Sequence, residues 1–317
     1  MTPIKSARSL HRESRAGAFE SASSHSPRRP QIAALVLLCL LSYSAIRATT
    51  LNGATPAPNK SSAGSMPSAN MAPNDAPGEW RRQSRDYANT RFSPLDQINI
   101  DNVAKLREAW TFSDGTQNGH EAAPLVFDNT MYLVTPFPNL VYALDLTKPG
   151  VPIKWSYAPN PTPVAIGKAC CDTVNRGGAY ANGKIIYNVL DNHTVAVDAK
   201  TGKEVWRTKM GDPTRGETMT MAPFVVGNKV YVGNSGGELG VWGWLAALDV
   251  DTGKELWRAY STGTDDEVRI GTEFKPFYSW MVGKDLGHTT WPPGMDRTGA
   301  GSVWTWISYD PELNLIY

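Results

Sequence analysis

Between Pro124 and Trp257 the apolar residues come in short bursts, most of them alternating with polar ones, and turn-forming pairs separate them. APLVFDNTMYLV (123–134) is divided by Asp128-Asn129, and APFVVGNKVYVG (222–233) by Gly227-Asn228. Such pairs between alternating runs predict β-hairpins with two-residue turns. A longer unit recurs around them: VYALDLTKPGVPIKW (141–155), TVAVDAKTGKEVW (194–206) and LAALDVDTGKELW (245–257). Each reads as an apolar strand, an Asp, a Thr/Gly turn and a strand ending in Trp. Asp145, Asp198 and Asp249 lie 53 and 51 residues apart, and Trp206 and Trp257 lie 51 apart. KLREAW, ending at Trp110, reads as an earlier copy of the Trp end. Four short strands in each period of about fifty residues predict the blades of an all-β propeller. The Asp and turn residues then set a hairpin while the Trp packs between neighbouring blades, a structural role.

The count of repeats limits that picture. About three full repeats and part of a fourth fit between Trp110 and Tyr317, whereas a closed propeller takes at least four blades and often more. An open stack leaves unpaired edges and an uncapped face, so the expected fold is a truncated propeller of three to four blades over residues 79–317. Ahead of it, residues 49–78 are rich in Pro, Ala, Ser and Asn with few large apolar side chains, the composition of a disordered linker. Residues 1–48 are basic up to Arg29 and then apolar from Ile32 to Leu41. That run is short for a bilayer of about 30 Å and suits a signal peptide, with an uncleaved N-terminal anchor as the alternative.

Export changes the charge and thiol balance. Seven of the 31 Lys/Arg and two of the 30 Asp/Glu precede residue 49, leaving 24 basic against 28 acidic residues, a formal net of −4. Nucleic acid is therefore not an expected partner, since its binding needs a basic face. Cys39 leaves with the leader, so Cys170 and Cys171 are the remaining thiols, in an oxidising compartment. Adjacent Cα atoms sit about 3.8 Å apart, closer than the 4.4–6.8 Å or so that disulfides prefer. A bridge here would be a small strained ring that closes almost no loop, of little use as a staple. Its value would lie in the rigid, flat surface it presents; the other reading is two unrelated buried thiols. His120, His193 and His288 are widely spread, which does not favour a zinc site.

CCDTVNRG (170–177), with GHEAAPLV (119–126) before it and SGGELGVWGW (235–244) after it, resembles the pyrroloquinoline quinone (PQQ)-dependent alcohol dehydrogenases of the methanol/ethanol type. The resemblance runs from about residue 79 to the end. It implies an eight-bladed propeller with the quinone on its axis, covered on one face by a vicinal disulfide and stacked on the other by Trp. By motif, Cys170 and Cys171 match the disulfide lid and Arg176 the arginine at the quinone's polar edge. Glu121 matches a cofactor-contacting glutamate and Thr220 a threonine bonded to a PQQ carboxylate. Ser235, Gly236 and Gly237 match the polar loop beside the quinone, and Glu238 the carboxylate ligand of a Ca²⁺ or lanthanide ion. Ser302 falls where Thr is usual, Trp304 matches the stacking tryptophan, and Ala300 and Thr305 replace family glycines.

These residue types suit that chemistry. Arg and hydroxyl donors suit a planar tricarboxylate, and oxygen ligands suit a hard ion. The family's Asn ligand and catalytic Asp base fall beyond Tyr317, so no catalytic residue is expected within this chain, and the polypeptide alone is expected to be inactive. The implied activity is oxidation of a primary alcohol to an aldehyde in the periplasm, with cytochrome c as electron acceptor. A membrane partner is expected only if the leader stays uncleaved, and a separately encoded C-terminal half is a further implied partner. The alternative function is a non-catalytic exported propeller acting as a scaffold or binding protein.

Overall fold

Asp128 and Asn129 both adopt left-handed backbone, with φ of 47° and 53°, the conformation a tight hairpin demands. The strands they join are β1 (Leu125–Phe127) and β2 (Thr130–Val134), paired antiparallel with Phe127 opposite Thr130. A computed structural model of the protein describes residues 75–170, 172–270, 279–299 and 301–317. The expected leader and most of the expected linker lie outside these residues. Asp75 and Trp80 already belong to the folded part: Asp75 ion-pairs with Arg82 at 3.1 Å, and Trp80 bridges Val126.

The predicted period becomes three four-stranded antiparallel sheets, each in chain order. The first adds β3 (Val141–Asp145) and β4 (Ile153–Tyr157). The second is β5 (Gly178–Ala181), β6 (Lys184–Val189), β7 (His193–Asp198) and β8 (Glu204–Lys209). The third is β9 (Phe224–Val226), β10 (Lys229–Gly233), β11 (Trp244–Asp249) and β12 (Glu255–Tyr260). In every sheet the register slips between third and fourth strands at the same point, after Ala143, Ala196 and Ala247. Such a bulge increases local twist. A two-stranded piece, β13 (Tyr309–Asp310) with β14 (Leu315–Ile316), follows.

Alternation along the strands builds two interfaces from one central sheet. Ile185, Tyr187 and Val189 pack with Leu125, Phe127 and Val141 of the first sheet. Ile186, Ala196 and Trp206 pack with Val230, Trp244 and Leu248 of the third. Each large side chain fully buried this way contributes about 1.5–3 kcal/mol. A third cluster joins Tyr87, Phe224 and Ile307, and Tyr309 N donates to Tyr87 O at 2.9 Å. The N-terminal segment therefore ties β1 through Trp80, β5 through Arg82, and β13 through Tyr87.

The tryptophans sit between repeats, as the repeat predicts. Trp155 Nε1 donates to Ala199 O at 3.1 Å, and Trp206 Nε1 to Val250 O at 3.0 Å. Each ring lies on a turn glycine of the following repeat, Gly202 or Gly253, where a Cβ would stand 2.6 or 2.5 Å from the ring. KLREAW departs from expectation: residues 106–110 form no strand and Leu106 is exposed. A fourth strand needs the inner strands of its own sheet as a ladder, and among the described residues none lies beside it. No helix of the described residues is long and apolar enough to cross a membrane.

Candidate functional site

The loops that lead into the inner strands carry the polar residues of the site. Glu121 and Thr220 each stand two residues before an Ala-Pro pair and four before β1 or β9, so they occupy one position of the repeat. Arg176 precedes β5 by two residues. β1 lies beside β5 and β5 beside β9, so the three loops converge at the same end of the sheets. Arg176 N donates to Thr220 O at 3.1 Å, its Nη1 to Thr220 Oγ1 at 2.9 Å, and its Nη2 meets Glu121 Oε2 at 2.8 Å. The Arg176 side chain is 10% exposed and that of Glu121 40%. The pair therefore holds a nearly buried cation against a carboxylate that water still reaches.

The neighbouring loop, between β10 and β11, is fastened at its base. Thr218 and Ser235 exchange backbone hydrogen bonds, and Ser235 Oγ donates to Thr218 O at 3.0 Å. A single 3₁₀ turn, Gly237–Leu239, follows, flanked by Gly236 at φ 110° and Gly240 at φ 83°. A Cβ on Gly236 would lie 2.3 Å from Gly216 O, so a glycine is required for that approach. Glu238 is displayed on this turn.

Cys170, Val174, Arg176, Thr220, Ser235, Glu238 and Trp304 line one cavity of about 260 Å³. Six of these seven are residues singled out from sequence. Trp304 is 47% exposed, and the Arg176 guanidinium carbon lies 5.1 Å from its ring centre. Glu121 joins the site through Arg176. Gly236 and Gly237 shape the loop without lining the cavity. Ser302 is half-buried and does not line it; its Cα packs where Gly243 would carry a Cβ. Cys171, and with it the expected vicinal disulfide, lies outside the described residues, as does Ala300.

Two contributions were not legible beforehand. Val174 supplies an apolar wall, with no signal in its neighbours. Asp172, at φ 77°, joins the cysteine loop to the Glu121 loop by accepting from Thr173 N at 2.7 Å and Gly119 N at 3.3 Å. Those backbone donors hold its carboxyl below the usual range. Its place directly after the cysteine pair was the available clue.

The donor set suits a flat, polyanionic group. Arg176 Nε is buried and has no hydrogen-bond partner among the described residues, and Thr220 and Ser235 add hydroxyls beside the Trp304 ring. Among the described residues no three His, Cys, Asp or Glu side chains cluster as a metal site; Glu238 is the one carboxylate lining the cavity.

Comparison with known proteins places this geometry. The domain described as "PQQ: Glucose/ethanol/alcohol dehydrogenase, beta-propeller domain" matches residues 80–317. A lanthanide-dependent methanol dehydrogenase of Methylacidiphilum fumariolicum (strain SolV) is 51% identical over 241 residues, 76% of this chain and 39% of that protein. Subunit 1 of the methanol dehydrogenase (cytochrome c) of Methylobacterium organophilum is 46% identical over 244 residues, 75% of this chain and 39% of its own. The solved structure of a europium-containing methanol dehydrogenase aligns with a TM-score of 0.73 at 50% identity, covering 76% of this chain and 42% of that one. The chain thus spans about two fifths of the length of the relatives it matches. With three successive blades and one cavity built from their loops, the chain belongs to the PQQ-type glucose/ethanol/alcohol dehydrogenase β-propeller family.

Proposed function

We propose that this chain is the quinone-binding propeller portion of an exported, periplasmic alcohol dehydrogenase that oxidises a primary alcohol of the methanol or ethanol type to the aldehyde. Cytochrome c is the proposed electron acceptor. The observation that supports this reading is the convergence of Cys170, Arg176, Thr220, Ser235, Glu238 and Trp304 on one cavity. These side chains come from four separate stretches of sequence, 170–176, 220, 235–238 and 304.

PQQ would supply a two-electron acceptor for the alcohol's hydride equivalent, and a Ca²⁺ or lanthanide ion would supply Lewis acidity. The residues act around that chemistry. Arg176 offers its unpartnered Nε and a guanidinium whose charge is partly balanced by Glu121. Thr220 and Ser235 offer hydroxyls to carboxylates, and Trp304 offers a flat apolar face. Cys170, with Cys171 as the proposed lid partner, bounds the cavity. Glu238 is the proposed ion ligand, displayed on a turn whose base is pinned by Thr218 and Ser235. Once Glu238 is committed to the ion, no other carboxylate among the described lining residues takes the alcohol proton. The chain alone is therefore proposed to bind the quinone without turning over.

Quenching of tryptophan emission on titration with PQQ, in Ca²⁺ or La³⁺, tests the assignment. Saturable quenching is expected, weakened about ten- to a hundredfold by Arg176→Ala, the loss of a charge-assisted hydrogen bond. Absence of saturable binding, or an unchanged affinity in the variant, would refute the site and favour a non-catalytic propeller.

A further inference from the structure

Glu217 lies on the segment that leads to Thr220 and bonds both ends of the loop that carries Ser235 and Glu238, yet it does not line the cavity they share. Its carboxylate accepts three hydrogen bonds. Oε1 takes Trp244 Nε1 at 2.6 Å and Asn234 Nδ2 at 3.1 Å, and Oε2 takes Asp212 N at 2.9 Å. No Lys, Arg or His ion-pairs with it among the described residues, so neutral donors alone hold this carboxylate. Asn234 and Trp244 are the two ends of the loop carrying Ser235 and Glu238. Asn234 is fully buried, and it closes the loop on itself: its Oδ1 accepts from Trp244 N at 3.0 Å and its Nδ2 donates to Trp242 O at 3.0 Å. Thr218, which follows Glu217, bridges Ser235, and a Cβ on Gly236 would stand 2.3 Å from the O of Gly216, which precedes Glu217. Gly211 leaves room for the carboxylate, since a Cβ there would stand 2.3 Å from it.

We infer that Glu217 is a positioning residue that clamps both ends of the Asn234–Trp244 loop and so sets where Glu238 is displayed. The inference rests on the proposed role of that loop beside the quinone and ion. The chemistry of the clamp demands a carboxylate. Both oxygens are used as acceptors from donors on opposite sides, so an amide must turn an NH₂ toward Asp212 N or toward Trp244 and Asn234. Gln is therefore a poor substitute despite its identical shape.

Hydrogen–deuterium exchange on the full chain tests the clamp, comparing wild type with Glu217→Gln and Glu217→Ala. Exchange in 235–242 is expected to rise about tenfold or more in both variants, with β9–β12 as protected as before. Loop exchange in Glu217→Gln that matches wild type overturns the inference, as does acceleration spread over the whole of β9–β12, which marks a purely structural role. If Glu217→Ala does not fold, Glu217→Gln alone decides. Terbium emission sensitised by tryptophan provides the second reading: wild type is expected to bind Tb³⁺ and Glu217→Gln about tenfold more weakly. Equal terbium affinity in the two proteins overturns the effect on Glu238. A wild type that binds no terbium overturns the ion assignment of Glu238 instead, and the exchange data still decide the clamp.

Discussion

At the scale of single residues, the most regular device is an aspartate at the end of the third strand of each four-stranded sheet. Asp145 Oδ1 accepts from Thr147 N and Oγ1, Asp198 from Thr201, and Asp249 from Thr252, all within 2.6–3.0 Å. The Thr147 hydroxyl and amide, with Lys148 nearby, lower the Asp145 carboxyl from 3.8 to about 2. A depressed native pKa gives stability that is complete above the ordinary value and lost as pH falls through the native one. Asp145→Asn keeps the acceptor oxygen and removes the titration. Its melting temperature is expected to fall less steeply than that of wild type between about pH 4 and 2, as read by circular dichroism; parallel curves would contradict the assignment. These aspartates were legible because each is followed by a Thr two or three residues on and a Gly four or five residues on. Asp172 was not, because it occurs once and its partner amide, Gly119, is 53 residues away.

At the scale of elements, the blade is defined by what its last strand does to the next repeat. Gly253 has φ 70° and lies against the Trp206 ring, whereas Gly183 has φ 76° in a hairpin with open space around it. Gly253→Ala is expected to cost about 2–4 kcal/mol, from left-handed backbone and overpacking together. Gly183→Ala should cost only the backbone share, about 1–2 kcal/mol. Urea unfolding of the two variants isolates the ring contact, and equal losses would show that the tryptophan yields freely. The strands and their order could be read from alternation and turn pairs. The copy at Trp110 could not, because a pattern states that a strand suits a position but not that a neighbour is there to pair with it. Ser302 stands two residues before Trp304 but outside the cavity lining, with its Cα packed where Gly243 would carry a Cβ.

At the scale of the whole molecule, a recurring scaffold presents a site that does not recur. Glu121 and Thr220 fill equivalent loop positions with different chemistry, and both contact the same arginine. The scaffold was legible by repetition and the site only by resemblance, since no spacing rule links Arg176 to Trp304 across 128 residues. On the proposed reading, the chain mixed with PQQ, Ca²⁺ or a lanthanide, methanol and an artificial acceptor is expected to reduce no dye; sustained reduction would show that a described group serves as base. One feature of the fold also bears on recombination between relatives. Trp155 and Trp206 each reach forward to a glycine of the following repeat, so a crossover placed between two sheets parts the ring of the first from its seat in the second. The portable unit runs from one tryptophan to the glycine that receives it, 155–202 or 206–253, and chimaeras joined at 203–205, between one glycine and the next tryptophan, should inherit intact junctions where those joined between sheets do not.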